Sequence, residues 1–217
     1  MTTHRWHTDR LTGKAGVHRI SRLGLVNAYL VTEEDGLTLI DTGLAGTHRL
    51  ILARAAAFGM PIRRIALTHA HRDHMGSLDA LAAALPAAEV IASEREAALL
   101  AGDGDQIGSL RVLATPGHTP GHLAFFDPRD GTLYAGDSFT TTRGVATSAV
   151  VPWRYPMAGL ATWNRELDLA SAQALRELDP ARLASGHGPV IQAPGHAMDR
   201  AFAAAARKLE RSPSRSD

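Results

Sequence analysis

The feature that most constrains this chain is the stretch THAHRDH at positions 68–74. Within six positions it carries four side chains that can bind a metal ion: His69, His71, Asp73 and His74. A strand-like run leads directly into the stretch, and a helical pattern begins at its end. On such a strand-to-helix turn, the first two imidazoles can point the same way while the last two side chains face a second point. Imidazole nitrogen and carboxylate oxygen suit zinc, manganese and ferrous iron.

Further donor residues come directly after other predicted strands. These segments are Asp41-Thr42-Gly43, Pro116-Gly117-His118, Gly136-Asp137 and Gly186-His187-Gly188. A single histidine on a loop is usually a surface residue, so one such segment would carry little weight. Because several of them recur at strand ends, together with the dense stretch 68–74, the sequence predicts a metal site.

The hydrophobic periodicity predicts an alternation of strands and helices. Strands are predicted at 17–20, 25–32, 37–40, 62–67, 88–92, 110–114, 123–126, 133–135 and 182–184. Helices are predicted at 47–58, 73–85, 159–178 and 194–210, with Ser93 and Glu96 as the capping box of another. Residues 138–157 are expected to be irregular. The order of elements indicates sheets covered by helices, and with no linker visible we expect one domain over 1–217.

Composition excludes several classes of protein. The 23 basic and 22 acidic residues leave a net charge of +1, which argues against a nucleic-acid partner. Cysteine is absent, so disulfides and thiolate catalysis are excluded. The N-terminus has no apolar signal region, and no run approaches the roughly 20 apolar residues of a membrane span. We expect a cytoplasmic protein with a small-molecule substrate and no membrane partner; its oligomeric state stays open.

The ordered pattern His69-x-His71-x-Asp73-His74, then His118, Asp137 and His187, resembles the metallo-β-lactamase superfamily. The resemblance extends from Asp41 to His187 and implies an α+β fold, the four-layer αββα sandwich. It also implies that His69, His71 and His118 bind one divalent metal ion and that Asp73, His74 and His187 bind another. Asp137 would bridge the two ions. Zinc is the first choice, with manganese or iron as alternatives.

Two further residues match positions that are expected to support the site without binding a metal ion. Asp41, in the Ile-Asp-Thr-Gly turn, is one of them, although a simple turn-forming role is an equally good interpretation. His122, in Thr119-Pro120-Gly121-His122, is expected to be supporting or structural and not a ligand.

The resemblance implies a hydrolase in which a hydroxide bridging the metals cleaves an ester, thioester or lactone bond. Asp73 is expected to hold or shuttle a proton as well as to bind metal. Common zinc β-lactamases have a cysteine where Asp137 stands, so this chain does not resemble them closely. Residues 115–122 resemble glyoxalase II, but only 30 residues follow His187, where that enzyme has an added helical region. Lactonases of this superfamily usually have tyrosine at the position of Thr140.

The segment 138–158 is the predicted substrate wall. It contains Phe139, Arg143, Trp153, Arg154 and Tyr155 beside a predicted ligand, and either arginine could pair with a substrate carboxylate or phosphate. The alternative is that the aromatic side chains only pack this segment against the sandwich.

Two other functions stay open. Persulfide dioxygenases resemble this pattern but use a single iron at the positions of His69, His118 and Asp137. A non-catalytic member of the fold is the other alternative, although such relatives usually lose ligands. A phosphodiesterase acting on RNA would need a basic cluster, and a flavodiiron protein would have glutamate at the position of His71 and an added flavin domain.

Overall fold

The computed structural model describes residues 17–22, 24–93, 102–150 and 160–210. The strands are β1 (His18–Arg22), β2 (Val26–Thr32), β3 (Leu37–Ile40), β4 (Ile62–Ala66), β5 (Glu89–Ile91), β6 (Gln106–Ile107), β7 (Leu110–Ala114), β8 (Leu123–Asp127), β9 (Thr132–Thr140), β10 (Ala146–Thr147), β11 (Arg182–His187) and β12 (Ile191–Gln192). The helices are α1 (His48–Ala56), α2 (Arg72–Met75), α3 (Leu78–Ala84), α4 (Arg165–Glu177) and α5 (Gly195–Glu210). No helix among these residues is long and apolar enough to cross a membrane.

The strands form two sheets. The first has the order β1-β2-β3-β4-β5, and the second has the order β12-β11-β9-β8-β7-β6, with β10 paired to β9. In the first sheet β3, β4 and β5 are parallel, so the residues after β3 and β4 leave the sheet at the same edge. In the second sheet β9 and β11 are parallel and likewise end together. Both sheets therefore bring chain segments to one edge of the molecule.

Alternating side chains on the strands build four layers. On β2, Tyr29 and Val31 pack between the two sheets, against Phe125 and Tyr134 of the second sheet. The intervening Ala28 and Leu30 pack under α1 and α3. The outer face of the second sheet packs under α4 and α5 in a third cluster. This period-two alternation, with both sheet faces buried, gives the αββα sandwich and confirms the predicted fold class.

The helix predicted over 73–85 is in fact two short helices, α2 and α3. Between them Gly76 lies against the backbone of the 43–45 turn, where an added Cβ would be 2.7 Å from Ala45 N. Ser77 Oγ donates to Leu44 O at 2.7 Å. The uniform apolar periodicity of this stretch could not reveal the contact, because the turn that interrupts the helix comes from a distant segment.

The prediction of an irregular segment over 138–157 was wrong at its beginning, because β9 continues to Thr140 and β10 pairs with it. Likewise Asp137 lies within β9 and His187 ends β11, where the prediction placed both just after a strand. Gly136 has φ +47°, and an added Cβ would lie 2.6 Å from His122 Nε2. Such a glycine reads as a turn in the sequence, yet here it is an irregularity inside a long strand. The capping box at Glu96 lies outside the described residues.

Candidate metal centre

All seven predicted ligands lie close together at one edge of the sandwich. Among the described residues, three groups of donor side chains have their donor atoms within 4.8 Å of one another. The groups are His69, His71 and His118; His69, His74 and Asp137; and Asp73, His74 and His187. Their members are the seven residues that the sequence predicted, and they come from four separate segments of the chain.

The residues of the first group lie in the segments that follow β4 and β7. His118 Nε2 and His71 Nδ1 converge at 3.1 Å, and the ring centroids of His69 and His118 are 4.9 Å apart. His118 Nε2 is also 3.5 Å from Asp137 Oδ2. Three imidazole nitrogens and a carboxylate oxygen thus face a common point.

The second group lies on the other side of Asp137. Its carboxylate reaches His187 Nε2 at 3.1 Å through Oδ2 and His74 Nε2 at 3.3 Å through Oδ1. Asp73 Oδ2 is 3.5 Å from His187 Nε2. Because one carboxylate contacts histidines of both groups, Asp137 is placed where a ligand bridging two cations would be.

Three buried atoms at this point make no hydrogen bond: His69 Nε2, His74 Nε2 and Asp137 Oδ1, the last two being 3.3 Å apart without hydrogen-bond geometry. A buried polar atom without a partner is unfavourable by about 1–3 kcal/mol, so native proteins rarely leave several together. A divalent cation would satisfy all three, and the set of imidazole and carboxylate donors has the chemistry that zinc, manganese and iron favour. The residues present therefore fit a metal centre.

Asp41 lies behind both groups and bonds to each. It accepts from His74 Nδ1 at 2.8 Å and from Thr68 N at 2.8 Å. The Thr68 hydroxyl also donates to Asp41 and accepts from His69 Nδ1 at 2.9 Å. These bonds keep hydrogen on Nδ1 of both imidazoles, so that each Nε2 presents a lone pair to the centre. Asp41 has φ 58°, a left-handed conformation that aspartate tolerates better than most residues.

Two other histidines are oriented in the same way. His118 Nδ1 donates to Thr162 Oγ1 at 3.1 Å, and that hydroxyl in turn donates to Ser148 O at 3.0 Å. His187 Nδ1 donates to the carbonyl of Leu25 at 2.7 Å. The bonds arise from segments far apart in the sequence, so they follow from the assembled fold.

The end of β11, which carries His187, is also hydrogen-bonded to the first sheet. Asn27 is fully buried on β2, and its Nδ2 donates to Ser185 O at 2.9 Å and to Gly188 O at 2.8 Å. Tyr29 Oη donates to Ser185 O at 2.6 Å. The two sheets therefore jointly position this ligand.

His122 does not offer a lone pair to the centre. Its Nε2 accepts from the backbone N–H of Asp137 at 3.1 Å, and its Nδ1 donates to Thr115 Oγ1 at 2.7 Å. Burial, assisted by the neighbouring His118, lowers the pKa of His122 to about 3, so the ring is neutral. This neutral ring accepts the backbone N–H of Asp137, and the supporting role stays a prediction.

The pKa shifts of the histidines differ between the two sides of the centre. Burial lowers the pKa of His118 to about 4 and lowers that of His69 well below its usual value. Burial also opposes charge on His74, but the carboxylates of Asp137 and Asp41 outweigh it and raise the pKa of that ring. Asp137 is itself buried, yet His187 and His74 hold its pKa well below the usual range. The bridging position thus carries a carboxylate, a suitable partner for cations.

Asp73 is more exposed to solvent than Asp137. The Asp73 side chain is 36% exposed, whereas that of Asp137 is only 4% exposed. Phe139 is buried in the core beneath α5, near Phe202, and so does not line the site. Arg143 is exposed in the turn between β9 and β10. Trp153, Arg154 and Tyr155 lie outside the described residues.

Several residues that organise the centre were missed in the sequence. They are Thr68, Thr115, Thr162, Asn27 and the backbone of Leu25. Only Thr68 had a local signal, since it directly precedes His69. A hydroxyl or carbonyl becomes a partner only when a distant segment packs against it, and no spacing rule records that.

The chain is similar to several known proteins. The family model described as the metallo-beta-lactamase superfamily matches residues 21–109 and 98–187. The uncharacterized protein YobT of Bacillus subtilis (strain 168) is 41% identical over 207 residues, covering 82% of this chain and 89% of YobT. The hydroxyacylglutathione hydrolase of Aeromonas salmonicida (strain A449) is 34% identical over 119 residues, or 51% of this chain. The match spans only 45% of that hydrolase.

Among solved structures, the fold resembles the protein TTHA1623 in a di-iron-bound form. The two share 27% sequence identity with a TM-score of 0.62, over 89% of this chain and 97% of that one. The similarity therefore extends over nearly the whole of both chains.

Proposed function

Because the chain belongs to the metallo-beta-lactamase superfamily, we propose that it is a binuclear metal-dependent hydrolase cleaving an ester, thioester or lactone bond of a small molecule. The observation that carries the proposal is the convergence of seven histidine and aspartate side chains on one point. Buried Nε2 and Oδ1 atoms without partners face that point.

In this proposal His69, His71 and His118 hold one cation, and Asp73, His74 and His187 hold the other. Asp137 would contribute to both sites, since its Oδ2 lies 3.5 Å from His118 Nε2 and 3.1 Å from His187 Nε2. When bound, two such cations lower the pKa of a shared water towards about 7 and polarise a substrate carbonyl. Zinc is the first candidate; the di-iron form of TTHA1623 makes iron the second.

Asp73 differs from the other proposed ligands in a way that suits proton transfer. It lies in the first turn of α2, with one carboxylate oxygen 3.5 Å from His187 Nε2 and 36% of its side chain exposed. A carboxylate that is both adjacent to the centre and open to solvent can take a proton from the attacking water and release it. If Asp73→Asn retained both metal and full turnover, this role would be refuted.

The bond to be cleaved is inferred from the ligand set and the relatives. Asp137 stands where the common zinc β-lactamases have cysteine, so we do not propose β-lactam hydrolysis. The named activity of the Aeromonas relative is thioester hydrolysis of a glutathione conjugate, which makes thioesters the first class to test. Esters and lactones follow because the same attack on a carbonyl cleaves them.

The test is elemental analysis of the purified protein, followed by assays on a panel of thioesters, esters and lactones before and after chelation. The proposal expects about two metal ions per chain and hydrolysis that is lost with chelator and restored by metal. One iron per chain with sulfur-dependent oxygen uptake would indicate the persulfide dioxygenase alternative. Metal-replete protein inactive on every member of the panel would favour a non-catalytic member of the fold.

A further inference from the structure

A cavity lies between the helix α5 and the segment that contains β10. Its volume is about 500 Å³, within the roughly 300–1,000 Å³ that is typical of small-molecule sites. The described residues that line it belong to two segments, 144–150 and 197–208, and none of them is a proposed metal ligand. The cavity is therefore a candidate for a second small-molecule site, separate from the metal centre.

Small side chains leave this space between the helix and the strand. Half of the described lining residues are glycine or alanine: Gly144, Ala146, Ala197, Ala201 and Ala204. The three alanines of α5 are three or four positions apart, so they lie on one side of the helix. A Cβ added to Gly144 would meet no atom within 4 Å. Met198 of the same helix is packed in the third core cluster, so α5 is held against the sheet beside the cavity.

The wall of this cavity also contains polar groups that can donate hydrogen bonds. Arg200 is exposed and lines the cavity, and it forms no ion pair with any described residue. The adjacent Asp199 is bonded instead to Arg176, Oδ1 to Nε at 3.0 Å. Thr147 is buried, and its hydroxyl makes no hydrogen bond within the described part of the chain. Lys208 adds a second positive charge, and no acidic side chain among the described residues lines the cavity.

We propose that this cavity binds a small amphipathic anion, whose apolar part lies in the cavity and whose acidic group pairs with Arg200. The alanines, together with Val145 and Val150, supply apolar walls for the first part. Positive charge without an acidic neighbour favours an anion over a neutral or cationic ligand. A guanidinium binds a carboxylate through two parallel hydrogen bonds, so an apolar carboxylate is the ligand class. The site does not depend on the proposed hydrolase function.

The first test compares two fluorescent dyes, 8-anilinonaphthalene-1-sulfonate and N-phenyl-1-naphthylamine, which has the same rings without the sulfonate. The parent should bind about one molecule of the anionic dye per chain. Arg200→Gln should weaken the anionic dye about five-fold, since its bond to the guanidinium is charge-assisted but exposed to solvent, and should leave the neutral dye unchanged. Arg207→Gln is the matched control, because Arg207 is exposed on the same helix but does not line the cavity; it should change neither dye.

The second test fills the cavity. Ala204→Phe places a phenyl ring in the wall and should abolish saturable binding of both dyes. Ala203→Phe is its matched control, because Ala203 is the preceding exposed alanine and does not line the cavity. Both alanines are exposed, so both variants should retain the parent's circular dichroism and melting temperature.

Displacement of the anionic dye identifies the ligand class. Decanoate should displace it, whereas acetate should not, because acetate lacks the apolar part. The alcohol 1-decanol should displace it about five-fold less well than decanoate, because it cannot form the ion pair with Arg200. Equal displacement by decanoate and 1-decanol would overturn the assignment of an anion.

Three outcomes would overturn the site itself. The first is dye binding that Arg200→Gln and Ala204→Phe leave unaltered, or that their controls weaken equally. The second is dye binding that requires metal, which would place the dye at the metal centre; equal affinity in metal-loaded and chelated protein supports a separate site. The third is a parent dimer, seen by sedimentation, that Ala204→Phe dissociates, because the cavity would then belong to a contact between copies of the chain.

Discussion

Replacing Asp41 by asparagine changes one atom of a residue that no proposed metal ion contacts, and we expect it to weaken metal binding. The Asp41 carboxylate accepts from Thr68 N–H, the Thr68 hydroxyl and His74 Nδ1, at distances between 2.8 and 3.1 Å. Asparagine has nearly the same shape and tolerates the left-handed φ of 58°. The backbone should therefore be retained, and the effect isolates the hydrogen bonds.

Neither orientation of the new amide satisfies all the donors. If its NH₂ group faces His74, that imidazole must keep its hydrogen on Nε2, which removes the lone pair from the centre. If its NH₂ group takes the place of Oδ1, it and the Thr68 backbone N–H are two donors opposed at 2.8 Å, which disturbs the turn that carries His69. Loss of such a supporting contact typically weakens metal affinity about 10- to 100-fold, equivalent to about 1.4–2.8 kcal/mol.

The assay is competition for metal with a chromophoric chelator, together with elemental analysis of the loaded protein. The site of Asp73, His74 and His187 should weaken more than the site of His69, His71 and His118, because the bond to His74 is direct. Asp35→Asn is the matched control: Asp35 is an exposed residue paired with Arg64, and the same substitution there should change neither affinity. Two ions bound by Asp41→Asn with the parent's affinities would refute the reasoning.

Three further predictions follow from the same geometry. Gly186→Ala should lose metal and unfold about 1–3 kcal/mol more easily in thermal or urea denaturation, because the added Cβ would lie 2.3 Å from Asp137 Oδ1. Thr162→Val should weaken metal binding about ten-fold in the chelator assay, because His118 loses its acceptor, while Thr162→Ser should retain it. Burial raises the pKa of Asp168 to about 8. Between about pH 4 and pH 8 the folded state therefore holds a proton that the unfolded state has released. The free energy of unfolding consequently falls as pH rises through this range. In urea unfolding of chelated protein, Asp168→Asn should therefore gain roughly 2–4 kcal/mol on the parent from pH 5 to pH 8; an equal difference at both pH values would contradict this.

Much of the fold was predictable because its signals are local. Alternating apolar residues predicted β2 and β3 closely, and the glycine and proline after α1 marked where it ends. The break between α2 and α3 and the continuation of β9 through Gly136 were not predictable. The break between α2 and α3 depends on the contact of Gly76 with the 43–45 turn. The continuation of β9 depends on the contact of Gly136 with the side chain of His122.

The sequence by itself determined which side chains could form the centre. The spacing within 68–74, and the predicted recurrence of His118, Asp137 and His187 after strands, identified a donor set whose members the fold brings within a few ångströms of one another, although Asp137 lies within β9. Parallel strands that end at one edge make such spacing meaningful, since residues after neighbouring strands must emerge together.

Only the tertiary structure decided how these side chains are oriented. Which nitrogen of each imidazole faces the centre depends on the group that bonds to the other nitrogen, and those groups are Thr162 for His118 and the Leu25 carbonyl for His187. Hydrogen-bond direction is a property of the packed chain, and here it arises when residues 44 and 162 positions apart in the sequence come into contact.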